Sequence, residues 1–382
     1  MRSLFHAIAS IKPGARAGDC IAGSLSSCEK GIGLKLPMAA PSLSPFSAST
    51  PYPPLMDSHG RVIHDLRVSI TDRCNYKCVY CRTGEVGAQY PELGIDEYLR
   101  LIGIFVGLGI TKVRLTGGEP LLRRGVVELV QELARMRTLA GEPLDLALTT
   151  NGHLLESLAE PLKAAGLNRV TVSMDAVDAA TFERITRVEG SFSKVLAGVR
   201  AARAAGLTPL KINCVLLRGF NDDQVEGFAR FAREENVVVR FIEFMPLEEG
   251  RLWSPKIVVT LREIVERIGR SLPLVELPAR EASETARRYT FADGVGEIGI
   301  IAPVSQAFCG ACSRVRLTSD GKIRTCLFSQ VEHDLYGRLR GQASDEELRA
   351  YIVHTVQGKE ARHHIGEPGF LKPSRSMVHI GG

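Results

Sequence analysis

The chain lacks any apolar run approaching the roughly eighteen residues that span a bilayer, which excludes a membrane-crossing helix and predicts a soluble protein. A large charge excess is missing too. The formal net charge is only +5, and residues 1–55 hold much of it, with Arg2, Lys12, Arg16, Lys30 and Lys35 against Asp19 and Glu29. So small an excess argues against a nucleic-acid coat, and any anion must be held by locally placed charges. Cysteine, by contrast, occurs nine times, and six of the nine fall in two tight groups. That pattern argues for metal ligation in a reducing compartment rather than a disulfide framework. With 382 residues, 45% of them hydrophobic, the chain can bury the core of one large domain and carry a smaller appendage.

The first group is Cys74, Cys78 and Cys81, a C-x3-C-x2-C pattern that follows the strand-like run Leu66–Ile70. The spacing suits a loop wrapped around one corner of an iron–sulfur cube. Such a cube has four irons and takes thiolate ligands, so three cysteines leave one iron open to a small molecule. A zinc site would want four protein ligands, and the nearest spare candidate, His64, lies upstream on the far side of the strand. The second group is Cys309, Cys312 and Cys326. Arg314–Thr318 and Lys322–Thr325 read as two strands joined by a Ser319-Asp320-Gly321 turn, a hairpin that returns Cys326 to the pair. Again three ligands are evident. A zinc knuckle completed by His333 stands beside a second iron–sulfur cluster as an alternative. Cys214, alone in a strand, reads as core, and Cys20 and Cys28 have no assigned role.

Between the groups, strand-like runs at Lys112–Leu115, Leu144–Leu148, Val170–Met174, Ile212–Leu217 and Val237–Ile242 alternate with helical spacing. The helical stretches are Asp96–Val106, Val126–Arg137, Leu154–Ala165, Phe192–Ala205 and Asp222–Glu235. This rhythm predicts βα units and a parallel sheet. With the strand before Cys74 there are six, too few for a closed eight-stranded barrel. We therefore expect an open, partial (β/α)6 barrel of the TIM type, its active site at the C-terminal ends of the strands where the Cys74 loop begins. A helix over Asp345–Val356 is expected to pack the appendage onto it.

Polar residues on these strands carry the next argument. Side chains alternate faces, so Lys112 and Arg114 share one face, as do Lys211 and Asn213, and Arg314 and Arg316. Arg67 lies in the first strand and Arg240 in the sixth. Few acids stand on these strands to compensate inward cations. A ligand of high negative charge such as a triphosphate fits, because guanidinium forks suit phosphate oxygens. Thr116-Gly117-Gly118-Glu119-Pro120 follows the second strand; its glycines let backbone approach a ligand closely, and its carboxylate can accept from an amino group.

The cysteine triplet, with Tyr80 before its last member, resembles the signature of the radical S-adenosylmethionine (SAM) enzymes. From about Met56 to Gly382 the chain resembles one of their families, the GTP 3′,8-cyclases of molybdenum-cofactor biosynthesis. The resemblance implies two 4Fe–4S clusters, on Cys74, Cys78 and Cys81 and on Cys309, Cys312 and Cys326. It implies SAM contacts at Tyr80, Gly118, Ser173 and Met245, and GTP contacts at Arg67, Arg114, Thr149, Lys211, Arg314 and Arg316. Terminal glycines matching Gly381 and Gly382 reach the active site in the family, and no catalytic side chain beyond the cluster ligands is implied. The implied reaction takes hydrogen from ribose C3′ of GTP and joins that carbon to guanine C8, giving (8S)-3′,8-cyclo-7,8-dihydroguanosine 5′-triphosphate. Implied partners are an electron donor such as flavodoxin or ferredoxin and the next enzyme of the pathway, cyclic pyranopterin monophosphate synthase. Neither membrane nor nucleic acid is expected, and a homodimer is compatible. Arg82 departs from the Met that many relatives have after the cluster loop. A twin-cluster peptide maturase and a metal-stapled binding module are the alternatives. The inward arginines speak against the first and the near-neutral body against the second.

Residues 1–55 are rich in Ser, Ala, Gly and Pro, with six prolines between Pro37 and Pro54, and read as a disordered leader. It is either a transit-like segment, which would direct the protein to a mitochondrial matrix, or the product of a start upstream of Met56, which fits a bacterial cytoplasm. The expected organisation is therefore leader 1–55, barrel 56–250 and second-cluster region 251–382.

Overall fold

A computed structural model describes residues 53–81, 87–250 and 252–381. Cys20, Cys28, Arg82 and Gly382 lie outside the described residues. Six strands run parallel and side by side in chain order: β1 (Asp65–Ser69), β2 (Lys112–Thr116), β3 (Asp145–Thr150), β4 (Arg169–Ser173), β5 (Lys211–Leu216) and β6 (Val238–Glu243). Their sequences explain the placement. On β5, Ile212, Cys214 and Leu216 are buried while Lys211, Asn213 and Val215 stay partly open, and β6 repeats this alternation. One face therefore packs on helices and the other lines the barrel interior. Cys214 belongs to the core, as expected.

The covering helices are α1 (Ile95–Gly107), α2 (Val126–Arg135), α3 (Leu155–Ala164), α4 (Ala179–Thr186), α5 (Ser191–Ala204) and α6 (Val225–Glu234). The α4 helix was not foreseen. Asp178 caps it by accepting from the Thr181 backbone N–H at 2.9 Å, and Gly190, at φ +67°, reverses the chain into α5.

The sheet extends beyond the six strands without closing. After α7 (Leu261–Gly269) come β7 (Leu274–Leu277), β8 (Arg287–Phe291) and β9 (Glu297–Ile301), then β10 (Arg314–Leu317), β11 (Lys322–Arg324) and β12 (His333–Asp334). β10 joins β1 and β9 joins β6, both parallel, so the second region lengthens the barrel wall at each edge. The strand order is β12-β11-β10-β1-β2-β3-β4-β5-β6-β9-β8-β7. The β10–β11 hairpin forms as expected, with Gly321 at φ +73° in its turn. Beyond it lie α8 (Tyr336–Arg340), α9 (Asp345–Gln357) and α10 (Met377–Ile380). A capping box of Ser344 and Glu347 opens α9, which packs on α1 with Arg100 paired to Asp345 at 2.8 Å. Among the described residues no helix is long and apolar enough to cross a membrane. Leu55 is already in the core, with its N–H donating to the Leu108 carbonyl at 3.1 Å.

Candidate active site

The loop after β1 carries Cys74, Cys78 and Cys81, and all three line a cavity of about 200 Å³ at the C-terminal ends of the strands. Tyr80, Gly118, Ser173 and Met245 line the same cavity, so the four residues expected to contact SAM converge there, with Thr149 beside them. Backbone pairing between loops builds this end. The Gly118 N–H donates to the Thr71 carbonyl at 2.7 Å and the Glu119 N–H to the Arg73 carbonyl at 2.7 Å. A Cβ on Gly118 would lie 2.3 Å from the Arg73 carbonyl oxygen, so the glycine is required by the cluster loop itself.

Glu119 corrects an expectation. It is fully buried and does not line the cavity. It accepts from the Thr150 hydroxyl at 2.7 Å and from the Asn151 and Leu121 N–H groups at 2.6 and 2.9 Å, tying the loop after β2 to the loop after β3. Burial raises its pKa to about 7 against the pull of those donors. Burial likewise raises Asp175 to about 6, although Tyr80 and the Val215 N–H donate to it.

Cys309, Cys312 and Cys326 line a second cavity, of about 120 Å³, together with Arg67, Arg314 and Arg316. Met245 and Leu327 are common to both cavities. His333 is not among the lining residues: it stands on β12, paired with Ile323. The histidine that does line the cavity is His363, from an irregular segment before α10, where the sequence offers no ligand-like spacing. Arg61, also unforeseen, pins this region. Its Nη1 donates to the Cys309 and Ala361 carbonyls at 2.9 and 2.8 Å, its Nη2 to the Glu360 carbonyl at 2.6 Å, and its Nε pairs with Asp57 at 2.5 Å.

The strand-borne cations form a third cavity, of about 370 Å³, at the opposite mouth of the barrel. Lys112, Arg169, Lys211 and Val238 line it from the N-terminal starts of their strands. The expectation that the whole site gathers at the C-terminal ends therefore holds for the cysteine loop and fails for the basic residues. Strands of five or six residues separate the two mouths by roughly 15–20 Å. Parallel register aligns the charges in rows. Asp65 lies between Lys112 and Arg314, and Arg67 between Arg114 and Arg316. Nine basic and four acidic side chains line the cavity. Arg169 is paired with Asp145, and Arg280 and Arg288 with Glu297, so the surplus positive charge, which suits an anion, rests on the strand-borne Arg67, Arg114, Lys211, Arg240 and Arg314. Asp65 and Glu297 supply part of the compensation. Burial would raise Asp65, but Arg67, Lys112, Arg114 and Arg314 outweigh it and hold the carboxyl below its ordinary value.

Arg114 and Arg240, by contrast, have neutral partners. Arg114 donates to the Thr149 and Thr171 hydroxyls at 3.2 and 3.3 Å, and Arg240 to Asn213 Oδ1 at 3.0 Å. Thr149 thus touches this cluster through Arg114 while lining the first cavity. Buried Arg67 Nε has no hydrogen-bond partner among the described residues. Burial, reinforced by neighbouring cations, lowers Lys211 to about 7, Arg240 to about 9 and Arg114 to about 10. Arg67 and Arg314 line both the second and third cavities, so all three are linked in a row. Arg316 donates to the carbonyl of Gly381, which brings that glycine to the second cavity.

The donor sets fit iron–sulfur clusters. All six cysteines are free thiols, three to a cavity. Burial pushes Cys312 up, but Arg314 and Lys359 overcome it and bring the thiol down to about 7, favouring the thiolate a metal needs. Burial, then Asp175 and the neighbouring thiols, push Cys78 up, so a cluster's positive charge is what would hold its thiolate.

An incomplete parallel barrel with a three-cysteine loop after its first strand defines a radical SAM protein. Residues 68–232 match the model of the radical SAM superfamily, and residues 237–365 that of the molybdenum cofactor synthesis C region. The chain belongs to the GTP 3′,8-cyclase family. It is 44% identical to the GTP 3′,8-cyclase of Moorella thermoacetica over 331 residues, covering 86% of this chain and all of that protein. It is 46% identical to that of Xanthomonas axonopodis pv. citri over 288 residues, 74% of this chain and 85% of the relative. Among solved structures, Streptococcus suis SuiB bound to the precursor peptide SuiA shares the fold, with a TM-score of 0.57 at 13% identity over 78% of this chain and 67% of that one.

Proposed function

We propose that the chain is a radical SAM GTP 3′,8-cyclase, joining ribose C3′ of GTP to guanine C8 at an early step of molybdenum-cofactor biosynthesis. The observation that carries this reading is the row of three linked cavities, two with a cysteine triplet and the third with an excess of cations over acids. A nucleoside triphosphate fits that row with its phosphates among the cations and its purine toward Cys309, Cys312 and Cys326. Its ribose then lies between the two, and Thr149, which lines the first cavity and accepts from Arg114, connects that position to the SAM side.

Within this reading the side chains divide the work. Arg67, Arg114, Lys211 and Arg314 bind and orient the triphosphate end, with Lys112 and Arg240 beside them, and Arg316 meets the nucleotide from the second cavity. Thr149 is held toward the ribose side by Arg114. Tyr80, Gly118, Ser173 and Met245 shape the SAM side, and Gly381 closes the site through Arg316. Bound 4Fe–4S clusters supply the one-electron chemistry that cleaves SAM on the first triplet and an open iron for the purine on the second. Holding two reactants in fixed order accounts for much of the rate gain, because orientation replaces a chance encounter. Residues 56–250 serve as the SAM-handling body and 251–382 supply the second triplet. The chemistry requires an electron donor of the flavodoxin or ferredoxin kind, and cyclic pyranopterin monophosphate synthase would take the product.

The family relation favours this reading over a peptide maturase, since the likeness to SuiB extends to the fold alone. The test is incubation of the reduced, cluster-loaded protein with SAM and GTP. 5′-Deoxyadenosine and the cyclised nucleotide should accumulate together; deoxyadenosine without a nucleotide product would sink the substrate assignment.

A further inference from the structure

The second cavity has apolar, partly aromatic walls, from Phe308, Phe328, Ile301 and Leu327, suited to a flat heterocycle. Most of its polar groups are already engaged. Lys359 Nζ donates to the Thr325 carbonyl, and the Thr325 hydroxyl donates to Glu360 at 2.7 Å. Arg316 is taken by Gly381, and Arg314 Nη2 donates to Cys312 Sγ at 3.1 Å while stacking over Phe308 at 5.2 Å. His363 differs. Its ring lies against Phe328 with centroids 5.2 Å apart, and its Nδ1 is buried with no hydrogen-bond partner among the described residues. A buried polar atom left unpaired is costly, so a ligand that pairs with it gains by doing so.

We propose that His363 is a specificity-determining residue whose Nδ1 hydrogen-bonds the edge of the purine seated in the second cavity. This rests on reading that cavity as the base site of a nucleoside triphosphate. The cations around it attract phosphate but tell one base from another poorly; the imidazole suits the task because it offers directional hydrogen bonds. Burial, with His364 next, holds its pKa below the ordinary value, so at neutral pH the ring is uncharged and presents one N–H and one lone pair. It thus contributes no charge to the attraction for bare phosphate.

The atom at issue dictates the variants. Asn carries a polar atom close to where Nδ1 stands; Gln carries one near the Nε2 position; Leu carries none. Cluster-loaded protein without SAM is titrated with GTP and, separately, with inorganic tripolyphosphate. His363→Leu and His363→Gln should each weaken GTP binding about tenfold, the worth of one directional hydrogen bond, and leave tripolyphosphate unchanged. His363→Asn should recover most of the loss. Iron content shows that the variants are folded and loaded; should the Leu variant lose its clusters, the Asn–Gln pair decides alone. GTP affinity equal to wild type in the Gln variant overturns the proposal, as does an equal loss toward tripolyphosphate. If wild type itself holds GTP no better than tripolyphosphate, the base-site reading fails, and the inference with it.

Discussion

The Tyr80 hydroxyl donates to Asp175 Oδ2 at 2.6 Å, fastening the cysteine loop to the end of β4. Asp175 is raised to about 6 by burial, so this is a charge-assisted bond above that pH and a neutral one below it. Tyr80→Phe should therefore destabilise the protein by about 2 kcal/mol at pH 8 and by about half that at pH 5, compared by urea unfolding under anaerobic conditions. Loss of the hydroxyl also removes an influence that lowers Asp175, so the carboxyl pKa rises further. The native state binds more protons than the unfolded chain between the ordinary carboxyl value and about 6, so Asp175 makes stability fall as pH rises through that window. Asp175→Asn should flatten that slope; an unchanged slope would remove Asp175 as its source.

Lys211 links phosphate binding to a proton. Burial, then Arg240 and Arg114, lower its pKa to about 7, so at pH 8 most of the free protein holds it neutral. A triphosphate among these cations restores the ammonium, so binding takes up close to one proton. Above pH 7 GTP affinity should fall by up to about tenfold per pH unit, with matching proton uptake by calorimetry in buffers of different ionisation enthalpy. Lys211→Met should abolish both effects between pH 7 and 8, below the range in which Arg240 titrates. An affinity independent of pH from 7 to 9 would count against Lys211 in the phosphate site.

These two sites were legible in the sequence to different depths. Strand parity placed Lys112 and Arg114 on one face, and the spacing of Cys74, Cys78 and Cys81 marked the loop, because both are local patterns. The opposite mouths were not legible: parity says which face a side chain takes, while its distance along the strand decides which end it serves. β9 escaped notice because its partner, β6, is far away in sequence and its pairing depends on Gly299, where a Cβ would meet Arg240 Cγ at 3.0 Å. His363 rather than His333 lines the second cavity, and only the folded chain shows which histidine stands there. Gly118 was noticed for a ligand's sake, but its nearest neighbour is the Arg73 carbonyl.

That contact makes Gly118→Ala a sharp test of loop pairing. The added Cβ would fall 2.3 Å from a carbonyl oxygen and 2.7 Å from its carbon, both backbone atoms that cannot rotate away. Overpacking of this kind costs about 1–3 kcal/mol, and here it would push apart the two loops that form the SAM side. SAM affinity and occupancy of the first cluster should drop, while tripolyphosphate binding at the other mouth survives. Gly269→Ala, at the end of α7 with nothing within 4 Å of its Cβ, should leave all three readouts unchanged.

Arg61 offers the complementary perturbation. Its guanidinium spans three carbonyls, those of Cys309, Glu360 and Ala361, while its Nε holds Asp57, so one side chain joins the chain before β1 to both segments around the second triplet. Lys keeps the charge but is a point donor that cannot fork across carbonyls set in different directions. Asp57 keeps the N–H donors of His59 and Arg61, so the loss is of the Nε bond and of carbonyl bonds left unmade, about 1–3 kcal/mol for each buried group. Most of that strain would fall on the Cys309 loop, since the Cys74 loop is held separately by Gly118, Glu119 and Asp175. Arg61→Lys should therefore lower the iron count from about eight per chain toward four. SAM binding should persist and GTP binding weaken. Equal loss of both clusters would show that Arg61 supports the fold as a whole, and an unchanged iron count would show that the Cys309 loop holds its shape without it.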